Sequence, residues 1–333
     1  MDDVTYSRVA IPTGNPFVLT DHAMDKKPAQ LKAELYLPAT TKPPYPAVVI
    51  CEGLGGVKDA RERRYGRFLA QHGFAGLVID SFGTRGYAGA PHPIRAINVT
   101  ESMMLADAFS ALTWLARRSD VDRRRIYNIG FSYGGMICIL TAYEQIRRHF
   151  VETDDKFAAH VSYYGPTVPR LIDPTTTGAP VAILNGERDN NIDLKRLDLI
   201  AGDLKVGGSA VENIVYENAY HQWDSDDHQR RFDRFNIKAL GTRIDPSHAI
   251  IDERTGRTVK GFTSRLAMIA RSVSLKGFEL HRDPDVMRAT DEILLRYLAI
   301  GADEVIPVNA KPSAMNAHAV AGLPPATPRA AAV

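Results

Sequence analysis

Two cysteines in 333 residues are too few for a disulfide framework. Cys51 and Cys138 each stand alone inside an apolar segment, and neither belongs to a CxxC pair. Both read as small buried hydrophobes in a reducing cytoplasm. No apolar run nears the roughly 20 residues that cross a bilayer, so no membrane segment is expected. The opening Met-Asp-Asp-Val-Thr has neither the positive region nor the apolar stretch of a secretory leader. An excess of one charge is missing too. Forty-one Lys and Arg against 39 Asp and Glu leave a formal net charge of +2. That balance gives neither nucleic acid nor an anionic membrane surface a reason to bind. Basic runs interleaved with aromatics are also absent, which removes the usual nucleic-acid footprint. His92 and His228 have no partner at metal-ligand spacing and read as surface residues. Asp224, Asp226 and Asp227 lack the glycine and closing glutamate of a calcium loop and read as a solvated acidic turn. No metal or cofactor is implied, and no internal repeat is visible. Such a chain is expected to act in the cytoplasm on small molecules, with a homo-oligomer left open.

What is present is a globular composition, 44% apolar and 24% charged. Short β-branched runs alternate with longer helical patterns. Strands are expected over residues 47–51, 74–80, 126–131, 160–164, 181–185 and 213–217. Helices are expected over about 59–72, 101–117 and 133–146. Apolar runs of this length between helices predict a mostly parallel sheet covered on both faces, an α/β fold. Upstream, residues 4–11 and 31–37 read as two strands forming an antiparallel edge. In the second, Leu31, Ala33, Leu35 and Leu37 alternate with Lys32, Glu34 and Tyr36, the period of a half-buried strand. Asp283-Pro284 marks a helix start, and Val286, Ile293, Leu294, Tyr297 and Leu298 fall on one face of that helix. The charged segment 224–282 breaks the alternation and reads as an insertion, with a hairpin over 250–259 around Thr255-Gly256. One domain over 1–306 is expected, followed by a disordered Ala/Pro tail over 307–333.

Gly130-Phe131-Ser132-Tyr133-Gly134 matches G-x-S-x-G where a strand passes into a helix. The turn that lifts a serine above the sheet tolerates only very small residues two positions to either side. The helix behind it also aims backbone N–H groups at the place where negative charge develops. A serine hydroxyl needs a base, and the base needs an orienting acid. Asp189 follows the 181–185 strand and His221 follows the next, the Ser-acid-His order of this arrangement. Glu187 is the rival for the acid position.

Glu52-Gly-Leu-Gly-Gly56 follows the first parallel strand. In one reading the Leu54 N–H joins that of Tyr133 in an oxyanion hole. In the other the loop cradles a dinucleotide pyrophosphate, with Asp80 on the ribose. The dinucleotide fingerprint would need glycine where Lys58 stands, so the oxyanion reading is preferred.

These pieces, Glu52-Gly-Leu-Gly-Gly56, Asp80, Gly130-Phe-Ser-Tyr-Gly-Gly135, Gly186-Glu-Arg-Asp189 and Ala219-Tyr-His-Gln-Trp-Asp224, resemble the dienelactone hydrolase family of α/β hydrolases. The resemblance runs from about residue 33 to the final helix and implies cleavage of lactones or small esters without metal or cofactor. It also implies an acidic residue near the nucleophile, which falls on Glu52. A substrate-carboxylate arginine would fall on Arg85, in the loop after the next strand. Trp223, with Tyr163 and Tyr164 next to strand ends, suits either the wall of an apolar acyl or alcohol site or packing in the core. This chain departs from the eponymous enzymes in carrying serine where they carry cysteine. A peptidase or acyltransferase on the same triad, or a non-catalytic ligand receptor, are the alternatives. Only the short loop 166–180 lies where many lipases insert a cap. Short acyl groups are therefore expected, unless the insertion covers the site.

Overall fold

The computed structural model describes residues 4–21, 28–166, 169–225, 231–274, 276–300 and 329–330. The chain opens with β1 (Val4–Thr13) and β2 (Ala29–Pro38), paired antiparallel from Val4 opposite Pro38 to Thr13 opposite Ala29. After β3 (Tyr45–Cys51), a π-helical turn at Asp59–Arg63 runs straight into α1 (Arg64–Gln71) and then β4 (Ala75–Asp80). Next come α2 (Ser81–Thr84), α3 (His92–Asn98), α4 (Glu101–Ala116), β5 (Val121–Phe131), α5 (Tyr133–Leu140) and α6 (Glu144–Phe150). The alternating part ends with β6 (His160–Tyr163), β7 (Pro169–Leu171), β8 (Val181–Gly186), α7 (Leu194–Val206) and β9 (Val211–Tyr216).

The insertion holds β10 (Arg231–Asp233), β11 (Thr242–Ile244), β12 (Ile250–Asp252), β13 (Thr258–Val259), α8 (Phe262–Ser272) and β14 (Phe278–Leu280). The chain then enters α9 (Pro284–Leu298). A two-residue strand, β15 (Arg329–Ala330), lies antiparallel to β9. The rest of the tail expected from residue 307, like Asp226, Asp227 and His228, lies outside the described residues.

Among the described residues nine strands form one sheet in the order β1-β2-β4-β3-β5-β6-β8-β9-β15, and β4 through β9 in that order run parallel. The antiparallel β1–β2 edge sits beside β4, as the alternation in residues 31–37 predicts. Burial on both faces explains the uninterrupted apolar runs. Ala47, Val49 and Cys51 pack on the side of α4 and α5, whereas Val48 and Ile50 face α1 and α9. Each such Val or Ile contributes about 1.5–3 kcal/mol by leaving water.

The helix expected over 133–146 is interrupted. The Thr141 hydroxyl donates to the Cys138 carbonyl at 2.8 Å, and Tyr143 is extended before α6 resumes. At α9 the Asp283 carboxylate accepts from the N–H groups of Asp285 and Val286, both at 3.1 Å, and Pro284 takes the first helical position.

The insertion folds onto the site. β10 pairs with β14, and β11, β12 and β13 join β7 in a second small sheet. The expected hairpin forms, with Ile250 opposite Val259. From α8, Arg265 reaches into the molecule and pairs with Glu101 at 2.6 Å, both side chains being largely buried.

Candidate active site

Ser132 sits between β5 and α5 with φ 52° and ψ −114°, a strained conformation for a residue with a side chain. Close backbone approach holds it there. A Cβ at Gly130 would come within 2.0 Å of the Gly134 carbonyl oxygen, and one at Gly134 within 2.3 Å of that of Cys51. Glycine is therefore obligatory at both positions of the G-x-S-x-G turn.

His221 Nε2 lies 3.0 Å from Ser132 Oγ, and His221 Nδ1 lies 2.5 Å from Asp189 Oδ2. The other Asp189 oxygen accepts from the Asn191 N–H at 2.9 Å, which fixes the carboxylate. Glu187, the rival acid, instead accepts from the Asn218 N–H at 3.1 Å and is exposed. The imidazole is wholly buried between rings, with Tyr164 at 4.8 Å and Phe278 at 4.9 Å between centroids. β14 also pins the histidine loop, because the His281 N–H donates to the His221 carbonyl at 3.1 Å. Three residues far apart in sequence thus form a continuous serine–imidazole–carboxylate relay.

Leu54, Gly55 and Tyr133 line the same pocket as Ser132 and His221. The glycine-rich loop is held from behind. Glu62 accepts from the Gly53 N–H at 3.2 Å and the Lys58 N–H at 2.9 Å, and Arg95 donates to the Leu54 carbonyl at 2.7 Å. The Tyr133 hydroxyl donates to the Val99 carbonyl at 3.3 Å and accepts from Arg265 at 3.1 Å. Both loops that carry the expected oxyanion donors are therefore fixed by side chains outside the pocket.

Three expected substrate contacts lie elsewhere. Arg85 uses all five of its N–H groups inside the protein. Nε donates to Asn15, and Nη1 to the Ser81 carbonyl and to Asp107 Oδ2 at 2.6 Å. Nη2 donates to the Gly14 carbonyl and to Asp107 Oδ1. With its side chain 6% exposed, it has no donor left for a substrate carboxylate. Glu52 is fully buried and accepts from the Phe82 N–H at 2.9 Å, so it holds the start of α2. Burial, with the Asp80 carboxylate nearby, keeps its carboxyl well above the usual range. Trp223 belongs to the core, edge-on to Tyr164 at 4.7 Å and with its indole N–H on the Thr290 hydroxyl at 3.3 Å. None of the three lines the pocket.

Asp224 is also no solvated turn. It is 2% exposed and accepts from the Tyr164 hydroxyl at 2.5 Å. Burial pushes its carboxyl up to about 6, against the pull of Arg61.

Sequence reasoning missed the opposite wall. His92 is not an isolated surface histidine. Its Nδ1 meets Asp233 Oδ2 at 2.6 Å, and both residues line the pocket with Phe235, Ile237 and Phe278 of the insertion. Burial raises Asp233, but the His92 hydrogen bond and the Phe235 N–H outweigh it, so this carboxylate titrates below its usual range. A separation of 141 residues hid the pair. The only hint was that both residues sit beside apolar neighbours in segments lacking the alternation.

Among the described residues no helix is long and apolar enough to cross a membrane. An uncharacterized protein of Mycobacterium tuberculosis is 29% identical over 170 residues. That match covers 46% of this chain and 56% of the relative, so the chain spans little more than half of that relative's length. A Yersinia pestis protein, whose name gives carboxymethylenebutenolidase as a candidate activity, is 24% identical over 204 residues, 59% of this chain and 75% of that one. Among solved structures, a dienelactone hydrolase-like promiscuous phosphotriesterase from metagenomic libraries has a TM-score of 0.53 at 17% identity. It covers 82% of this chain and 100% of its own, a likeness of fold. Residues 31–240 match the model of the Dienelactone hydrolase family. Because that match runs from the second strand past the histidine loop and takes in every segment carrying the relay, the chain belongs to the dienelactone hydrolase family.

Proposed function

We propose that this chain hydrolyses small carboxylic esters or lactones through an acyl-Ser132 intermediate. The observation that carries the reading is the Ser132–His221–Asp189 relay, closed at 3.0 and 2.5 Å on a turn that forces the serine outward. In the proposed reaction Ser132 Oγ attacks the ester carbonyl while His221 Nε2 takes its proton. Asp189 holds the Nδ1–H tautomer and stabilises the imidazolium that forms. The N–H groups of Leu54 and Tyr133 donate hydrogen bonds to the oxyanion. Collapse expels the alkoxide, which leaves as alcohol with the proton returned by His221. Water, deprotonated by the same nitrogen, then attacks the acyl-serine and releases the carboxylic acid, while His221 returns the proton to the departing Ser132 Oγ. Each proton passes through one atom, and the buried imidazole keeps bulk water from competing for it.

The test is a panel of 4-nitrophenyl esters and lactones assayed with the wild type and Ser132→Ala. Loss of a triad serine removes several powers of ten in kcat. Turnover undiminished in Ser132→Ala, or no turnover of any ester or lactone by the wild type, contradicts the proposal.

A further inference from the structure

The pocket at Ser132 is small, about 30 Å3, room for little more than the scissile group. It does not end there. His92, Asp233 and Phe235 line it and also line a second, open groove of about 600 Å3 between α3 and α8. That volume falls within the range of small-molecule sites. Beyond the shared threshold the walls are Pro93 and Ile97 from the α3 side, Arg234 next to Asp233, and Leu266, Ile269, Ala270 and Val273 from the α8 side. Leu266 in this wall is 40% exposed, and Ile94, on the same α3, is 44% exposed. A contiguous apolar surface that opens into a reactive pocket is where a ligand's apolar part escapes water.

The threshold carries His92 and Asp233, and apart from Arg234 beside them the groove beyond it is lined by apolar side chains. His92 Nδ1 is held by Asp233, and His92 Nε2 comes within 3.9 Å of where a side chain would begin at Gly55. A polar ester group at Ser132 would therefore lie beside His92, with its hydrocarbon continuing into the groove. α8 and the β10 segment both come from the insertion, so the cover absent from the 166–180 loop is supplied after Asp224.

We propose that this groove receives an apolar alkyl or aryl arm of the substrate, so that the enzyme prefers esters with a medium-length hydrocarbon arm over acetates and butyrates. The inference rests on the hydrolase reading of Ser132 and replaces the short-acyl expectation drawn from the missing cap. Each methylene moved from water into such a groove favours binding by about two- to fourfold.

Three measurements decide it, all below micellar concentrations. The first compares kcat/KM for 4-nitrophenyl acetate and octanoate, and for ethyl and octyl acetate. At least about a tenfold gain with length is expected in one series. A gain in the 4-nitrophenyl series assigns the groove to the acyl arm, and a gain in the acetate series assigns it to the alcohol arm. The second repeats the ratio in Ala270→Trp, where an exposed helix position is filled by a ring. The length ratio should fall at least about tenfold there, and stay within about twofold in Leu199→Trp on the distant α7. The third is equilibrium binding of the same octanoate and acetate esters to Ser132→Ala, which reports on the groove without turnover. Tighter octanoate binding, lost in Ser132→Ala/Ala270→Trp, is the expected result. Flat length profiles in both series, with equal binding of both esters, overturn the inference, whether another stretch of the chain or a second copy covers the groove. Turnover that survives Ser132→Ala would instead overturn the hydrolase reading, while the binding ratio still judges the groove.

Discussion

Replacing Arg265 by methionine keeps most of the side chain's length and removes its charge. In the native protein the guanidinium binds Glu101 through two hydrogen bonds of 2.6 and 3.1 Å and donates twice to the Ala96 carbonyl. It also reaches the Tyr133 hydroxyl. Arg265 is 4% exposed and Glu101 9% exposed. Removing one partner of a buried pair costs about 3–5 kcal/mol, chiefly because the other charge is stranded. The pH dependence gives a second, independent signature. Burial raises the Glu101 carboxyl, but Arg265 outweighs it, so Glu101 now titrates below its usual value. Without Arg265 burial is opposed only by the smaller hydrogen-bond contributions of the Glu101 N–H and the Tyr133 hydroxyl, and the folded-state value is expected to move above that of the unfolded chain. The folded variant then keeps a proton that the unfolded chain releases. Its stability therefore falls as pH rises, by roughly 1.4 kcal/mol per unit until the folded-state value is passed. Urea unfolding of wild type and Arg265→Met at pH 5 and pH 8 measures both effects. The deficit should be several kcal/mol and larger at pH 8, and Glu101→Gln/Arg265→Met should recover part of it. A deficit under about 1 kcal/mol, or one equal at the two pH values, refutes the reasoning.

Arg85→Ala should cost about 3 kcal/mol or more in urea unfolding, because Asp107 is left buried without its partner. The same variant should leave the kcat/KM ratio of carboxylate-bearing to neutral esters within about twofold. Asp189→Asn should lower kcat by about 10⁴ through the wrong imidazole tautomer, whereas Glu187→Gln should change it less than about threefold, as parallel steady-state assays would show. Asp224→Asn should flatten the pH profile of stability. With its folded-state value raised to about 6, Asp224 stabilises the native state at low pH, and this is lost as pH rises from about 4 through 6. The wild-type minus variant difference should shrink by on the order of 3 kcal/mol between pH 4 and pH 7.

Much of the fold was readable because its signals are local. A strand buried on both faces writes an apolar run, as in β3 and β8, and an N-cap followed by proline writes a helix start, as at α9. The relay was readable for the same reason. Each member follows a strand, and close backbone approach at Gly130 and Gly134 leaves a glycine signature within five residues. The break between α5 and α6 was not readable, since a single threonine hydroxyl turning back on the helix looks like any other mid-helix threonine. Arg85 shows the limit for charged residues. A loop arginine at a strand end suits a substrate carboxylate and a buried Asp107 equally well, and only the fold decides. The same holds for Trp223 and Glu52, whose neighbours Thr290 and Phe82 come from other segments. The insertion was least legible. Its strands are two or three residues long, too short for a period, and its contacts to His92 and Glu101 span 141 and 164 residues.

The most direct test of the central claim is to trap the acyl-enzyme. Wild-type protein mixed with a 4-nitrophenyl ester and quenched in acid within the first turnovers should gain the mass of one acyl group. Peptide mapping should place that group on Ser132, and its formation should be as fast as the burst of nitrophenol. An adduct on any other residue, or nitrophenol released steadily with no adduct at any time, would contradict the account.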